Sequence, residues 1–273
     1  MTYTFPKDFS EPVLALCALG EDPARKREWI DYPTVLGLTE EHIPELIRIV
    51  EDIEIFMPID EDVDEDAPEI FSSIHAWRAL GQLKAGEAVP ALIDLAVRNE
   101  ELDIDWILSG IPMAMKMIGP IALPALEEYL NKNEQLEWAN ATISDSVAEI
   151  GLAYPENRMD CIKILEKRLE SYEINLRYIN ASLIHDLTRL NATESDELIK
   201  QAFDSDNVDL SLMGDYEDYQ ISVGLMKKRR TPQRNYMAEE YEGIRRLREA
   251  IDDKIKADKL FDLVDPDIIK GNF

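Results

Sequence analysis

The chain has 273 residues, of which 45% are apolar, 11 are glycine, and 56 acidic side chains face 29 basic ones for a formal net charge of −27. The apolar share is that of a globular protein, so wholesale disorder is excluded. Scarce glycine, with no alternating runs of Thr and Val, excludes an all-β chain. The charge opposes binding along a nucleic-acid backbone, where affinity comes from Lys and Arg neutralising phosphates.

In chain order, the first ten residues show no basic region followed by an apolar stretch, and no apolar run approaches membrane-spanning length. A cytoplasmic protein with no membrane partner is expected. Glu11 to Leu19 and Thr39 to Ile55 are predicted as helices of a divergent N-terminal unit over residues 1–57. Cys17 and Cys161 stand in apolar helical surroundings and are expected as small buried hydrophobes rather than a disulfide. Asp60, Asp62, Asp64 and Asp66 alternate as carboxylates do in a calcium loop. The EF-hand, however, needs glycine where Glu65 stands and a bidentate glutamate where Phe71 stands. A solvated loop is expected there, with an adventitious cation site as the functional alternative.

Three predicted helices then end at a glycine: Ile74 to Leu80 before Gly81, Trp106 to Ile118 before Gly119, and Trp138 to Ile150 before Gly151. Each glycine is expected in the left-handed turn that closes a helix. Ile43-Pro44-Glu45-Leu46, Val89-Pro90-Ala91-Leu92 and Leu123-Pro124-Ala125-Leu126 each open another helix, proline suiting the first turn because its missing N–H has no partner there. Pro155 to Leu169 follows, and then Leu176 to Leu190 pairs with Glu194 to Phe203, with Asn191 at the turn. Within residues 214–225, Tyr219, Ile221, Val223 and Leu225 alternate like a strand, but the acidic start and basic finish suit a capped helix, which is the reading adopted. Lys227, Lys228, Arg229, Arg230 and Arg234 form the basic cluster. They are expected to finish that helix before Pro232 and lie against the protein's own acidic surface, docking of an acidic partner being the alternative. A charged helix is predicted over Asn235 to Asp262, its stripe of Ile244, Leu247, Ile251 and Ile255 capping the last unit.

These elements repeat. Trp106 and Trp138 stand at the same offset from their glycines, Ile111 matches Ile143 in that frame, and the period is about 30–40 residues. Residues 74–95, from Ile74-His75-Ala76-Trp77 through Val89-Pro90 to Leu95, resemble the HEAT-like repeat of the phycobiliprotein-lyase type. Pro112 is similar to the proline that kinks many HEAT repeats, and residues 214–232 resemble a tail of bacterial HEAT-like proteins. The resemblance implies an all-α fold, an α-α superhelix (a HEAT/ARM-like solenoid) of about five helix pairs over residues 1–210, with residues 211–273 as a C-terminal extension. It implies no chemistry, because the same scaffold carries adaptors, lyases and base-excision enzymes.

Trp77, Trp106 and Trp138 are read either as packing between repeats or as an aromatic row that grips a peptide or planar ligand. His42, His75 and His185 show no metal spacing, and a lone helical histidine is ordinarily structural. His185, followed by Asp186 and Arg189, would place an acid–base group on the concave wall. There is no P-loop, no nucleophile elbow and no zinc motif, so no cofactor is implied. The leading expectation is a non-enzymatic interaction scaffold whose concave face binds a protein partner through basic segments. The rivals are a tetrapyrrole (bilin) lyase or lyase-chaperone, and a HEAT-like DNA repair enzyme, which would need a basic concave face.

Overall fold

The computed structural model describes residues 5–26, 28–56 and 67–236, with six single positions between 238 and 254. Among them there are helices and turns and no strand. The helices are α1 (Glu11–Cys17), α2 (Glu21–Arg25), α3 (Tyr32–Leu36), α4 (Ile43–Glu51), α5 (Ile53–Phe56), α6 (Ser72–Gln82), α7 (Val89–Leu102), α8 (Asp105–Ile118), α9 (Leu123–Leu130), α10 (Glu137–Ala153), α11 (Arg158–Leu169), α12 (Arg177–Arg189), α13 (Asp196–Asp204), α14 (Leu210–Met213) and α15 (Tyr216–Ser222).

One local device recurs: among the described residues a single 3₁₀ turn leads directly into six helices, the first helix α6 and the second helices α4, α7, α9, α11 and α13. In α4, α7 and α9 the second residue is the expected proline, at Pro44, Pro90 and Pro124. These second helices touch one another in sequence order from α7 to α9, α11 and α13, while α6, α8, α10 and α12 form a matching series of first helices. No helix buries its apolar side alone, and the shared core runs from Phe9 to Val223. Ile111 and Ile143, matched in the repeat frame, are both in it, as are both cysteines. Burial pushes the Cys17 thiol up to about 11 and the Cys161 thiol up to about 12. No single helix among the described residues is long and apolar enough to cross a membrane.

The glycines divide by role. Gly119 closes α8 at the expected position, but with φ 89° and ψ −161° it is a positive-φ turn outside the left-handed conformation expected. Gly81 lies inside α6, and the positive φ after that helix falls on Lys84. Gly81 answers a different need: a Cβ there would fall 2.9 Å from the Ala114 Cα, so its bare backbone lets α6 and α8 approach closely. Gly151 is likewise internal to α10, against Leu190 and Cys161.

Two buried polar clusters organise the ends of this core. Every residue of α6 from Ser72 to Gly81 is buried, which brings His75 and Arg78 inside. The Arg78 guanidinium donates to the Ala24 carbonyl at 2.8 Å and lies 4.9 Å from the Trp29 ring centre. His75 Nε2 lies 2.9 Å from the Gly20 carbonyl oxygen. That oxygen can only accept, so Nε2 donates and Nδ1 accepts from the Tyr32 hydroxyl at 2.7 Å. Burial, reinforced by the Arg78 charge, holds the His75 ring down at about 4 despite the Gly20 bond.

At the other end Arg168 of α11, 1% exposed, meets amide oxygens rather than a carboxylate. It donates to Asn140 Oδ1 at 3.2 Å, Asn133 Oδ1 at 2.9 Å, the Glu134 carbonyl at 3.0 Å, and Asn175 Oδ1. Asn175 passes the chain on to Asn180 Oδ1 of α12 at 2.8 Å, and Asn180 donates to the carbonyls of Tyr172 and Asn207.

Within residues 214–225 the expected capped helix, and not a strand, forms as α15, with Tyr219 in the core. Asp215 accepts from the Glu217 and Asp218 N–H groups at the start of α15, which packs on α13. The stripe of Ile244, Leu247 and Ile255 lies outside the described residues, and Ile251 is exposed.

Arg168→Ala strands several buried amides and is expected to cost about 3 kcal/mol, read as a lower urea midpoint. His75 sets a pH dependence. Above about pH 6.5 its ring is neutral whether the chain is folded or not; between pH 6.5 and 4 only the unfolded chain takes up the proton. Stability should therefore fall by up to about 3 kcal/mol as pH drops through that window. His75→Gln keeps a donor and an acceptor without titrating, and should flatten that part of the urea-midpoint profile.

Candidate binding site

A cleft of ≈ 210 Å³ opens between α10, α12 and α14. The first turns of α10 and α12 each carry an aromatic at the second position, Trp138 and Tyr178. Their rings meet edge to face, 5.2 Å between centres at 66°. Trp138 remains 36% exposed. Two turns further along, α10 supplies Asp145 and α12 supplies His185, Asp186 and Arg189. Leu108 of α8 and Leu212 of α14 close the apolar sides.

The floor is a charge cluster centred on Arg189. Its guanidinium is ion-paired with Asp145 and Glu149 and reaches Asp186 Oδ1 at 3.2 Å, while Lys116 of α8 binds Glu149 at 2.8 Å. Burial, with the neighbouring Asp145 charge, pushes the Asp186 carboxyl up to about 8, against the pull of Ser144 and Arg189. Burial also raises Asp145 above the usual carboxylate range, although Arg189 opposes it. At Glu149 burial pulls the same way but loses to Lys116 and Arg189, which hold it low. Near neutrality Asp186 therefore keeps a proton in a cluster of three carboxyls and two cations. Burial and the Arg189 charge outweigh Asp145 and lower His185, so its exposed ring is neutral at the cleft mouth. Ser182, 6% exposed, also lines the cleft, and its Oγ is buried without a hydrogen-bond partner. Chemically, the cleft offers two aromatic rings, a neutral imidazole, a hydroxyl, and carboxyl oxygens paired with Arg189.

Of the sequence candidates, Trp138 and His185 come together here. Trp106 holds the same second position in α8, but it is half-buried, 5.9 Å from the Arg78 guanidinium carbon. Trp77 is a correction: it is fully buried and closes on Gly110, where a Cβ would fall 2.7 Å from the indole nitrogen, so it presents no surface to a ligand. The basic cluster is another, because α15 ends at Ser222 and these cations follow the helix instead of finishing it. Arg229 is turned inward, 2.5 Å from both Asp215 and Asp218. Burial raises the Asp215 carboxyl, but hydrogen bonds from Arg229 and Tyr236 hold it at about 2. Lys227, Lys228 and Arg230 are exposed, and the Arg230 N–H donates to Glu217. Asp60, Asp62, Asp64 and Asp66 lie outside the described residues.

Sequence reasoning missed Tyr178 and Asp145. The signal for Tyr178 was available, since it stands at the same helix position as Trp106 and Trp138, but the repeat was traced through tryptophan alone. Asp145 carried no local signal. Comparison with family models, curated proteins and solved structures finds no significant match to this chain.

Asp186 allows a test of the cluster. A carboxyl raised in the folded state holds a proton that the unfolded chain has released, so stability is full below about pH 4 and falls as pH rises through about 8. Asp186→Asn removes that loss. Its melting temperature relative to wild type should climb between pH 5 and pH 8.5, by roughly 2–4 °C.

Proposed function

We propose that this chain is a non-enzymatic protein-interaction scaffold, an α-α superhelix of the HEAT/ARM type, whose α10–α12 cleft takes a lysine or arginine side chain of a basic partner segment. The scaffold half rests on the 3₁₀ turn that leads into each of the five second helices, and on first and second helices that each meet their sequence neighbours. Such pairs cannot bury an apolar face singly and are stable only as a stack.

One observation carries the binding half: an edge-to-face aromatic pair, Trp138 exposed and Tyr178 half-buried, shares the cleft with carboxyls whose own arginine is already committed to them. A cation against aromatic faces gains about 0.5–2 kcal/mol depending on desolvation. The chain's net charge of −27 favours encounter with basic partners and disfavours acidic ones. The cleft's ≈ 210 Å³ falls below the ~300–1,000 Å³ of pockets for drug-sized ligands, so it suits one long side chain better than a tetrapyrrole.

Titrating the protein with an Arg/Lys-rich peptide and its acidic counterpart, by tryptophan fluorescence, tests this reading. The basic peptide should bind and the acidic one should not, with Trp138→Ala weakening binding at least about tenfold. Equal binding by Trp138→Ala defeats the cleft assignment. Stoichiometric uptake of a free bilin, seen as a shifted visible absorption, would move the reading to lyase or lyase-chaperone.

A further inference from the structure

A second concavity, of ≈ 540 Å³, lies on the second helices between α7 and α9. Pro90, Ile93 and Val97 stand three and four residues apart on one face of α7; Ala125 and Tyr129 face them from α9, and Leu136 closes one end. Ile93, Val97, Ala125 and Leu136 remain half-exposed, so the groove has an apolar lining that the fold leaves uncovered. Its rim is charged and unbalanced: Asp94, Glu128 and Glu134 are exposed around it, against Arg98, 3.8 Å from Asp94, and Lys132, whose ammonium lies 6.0 Å from the Tyr129 ring centre.

A buried polar group also marks the groove. Tyr129 is 5% exposed, and its hydroxyl is buried with no hydrogen-bond partner. Burial and the charges of Glu134 and Glu100 push the phenol up to about 12, so it remains a donor at physiological pH. The groove is therefore lined by the Tyr129 ring, while its hydroxyl is held inside, away from an arriving ligand.

We propose that the α7–α9 groove is a docking surface for an amphipathic segment of a protein partner, its apolar side chains on Ile93 and Val97 and its lysines or arginines on the Asp94, Glu128 and Glu134 rim. The proposal rests on the scaffold reading and adds a second anchor on the other set of helices from the Trp138 cleft. Charge complementarity selects this occupant. A second copy of the chain would bring its own net charge of −27 to an acidic rim, and an apolar segment without cations would leave that rim unpaired. An apolar stripe at helical spacing laid into a groove is an established way of reading a partner helix.

The probe is a fluorescein-labelled Leu/Lys peptide with leucines at helical spacing, followed by anisotropy against the full chain. Two controls accompany it, one with leucines changed to serine and one with lysines changed to glutamate. The Leu/Lys peptide should bind and both controls should bind at least about tenfold more weakly. Val97→Glu, on the half-exposed lining, should weaken the Leu/Lys peptide at least about tenfold with an unchanged circular-dichroism spectrum. Full affinity in Val97→Glu, or equal affinity for the serine control, overturns the groove. A wild-type dimer in light scattering that Val97→Glu converts to monomer also overturns it, assigning the surface to a second copy. Loss in Val97→Glu with none in Trp138→Ala upholds the groove and removes the cleft from the scaffold reading; the reverse pattern upholds the cleft and removes the groove.

Discussion

Arg168 is a buried cation with no carboxylate in contact, and the geometry of the cleft depends on how its charge is accommodated. Desolvating a guanidinium is costly unless every donor finds an acceptor. Here those acceptors are amide and backbone carbonyl oxygens from the α9–α10 connection, from α10 and from the α11–α12 connection. Because Asn140 belongs to α10 and Asn180 to α12, one network fixes the mutual setting of the two helices that carry Trp138 and Tyr178. This network thus ties together the two helices that wall the cleft, and none of its members lines the cleft.

Arginine is used in three other ways. Arg78 anchors the N-terminal segment by backbone carbonyls and the Trp29 ring, so the divergent first unit is tied to the core despite its irregular helices. Arg229 returns a basic stretch to the N-cap of α15, where it meets Asp215 and Asp218. Arg189 is surrounded by three carboxyls, of which one, Asp186, is too deeply buried to ionise readily. Arg189 and Arg229 are neutralised by internal carboxyls, whereas Arg78 is solvated by neutral carbonyls and an aromatic face. A body of this mass exposes at least ~12,000 Å². Its net charges therefore stand ~20 Å apart, beyond the ~8 Å Debye length, and selectivity must come from local clusters such as a cleft or a groove rim.

Much of this was legible along the chain, and the exceptions are instructive. Proline in the first turn and apolar spacing located α4, α7 and α9, because both act within a few residues and need no distant partner. The glycines were harder. Gly119 takes a positive-φ turn, whereas Gly81 and Gly151 stay helical and admit a neighbour; a glycine in the sequence does not distinguish a turn from a close approach. The tryptophans divided in the same way. Trp77 is core, Trp106 is half-buried, and Trp138 is exposed.

By itself, the sequence determined an acidic chain of paired helices with its proline-led helix starts, since composition, periodicity and first-turn chemistry are local properties. Tertiary structure alone decided that Trp138 meets Tyr178, that Asp145 and Asp186 share one arginine, that Arg168 finds only amides, and that Tyr129 lies beneath an uncovered groove. Those outcomes depend on how each helix is rotated against neighbours some 30–40 residues away, and that rotation follows from packing the whole core rather than from any short stretch of chain.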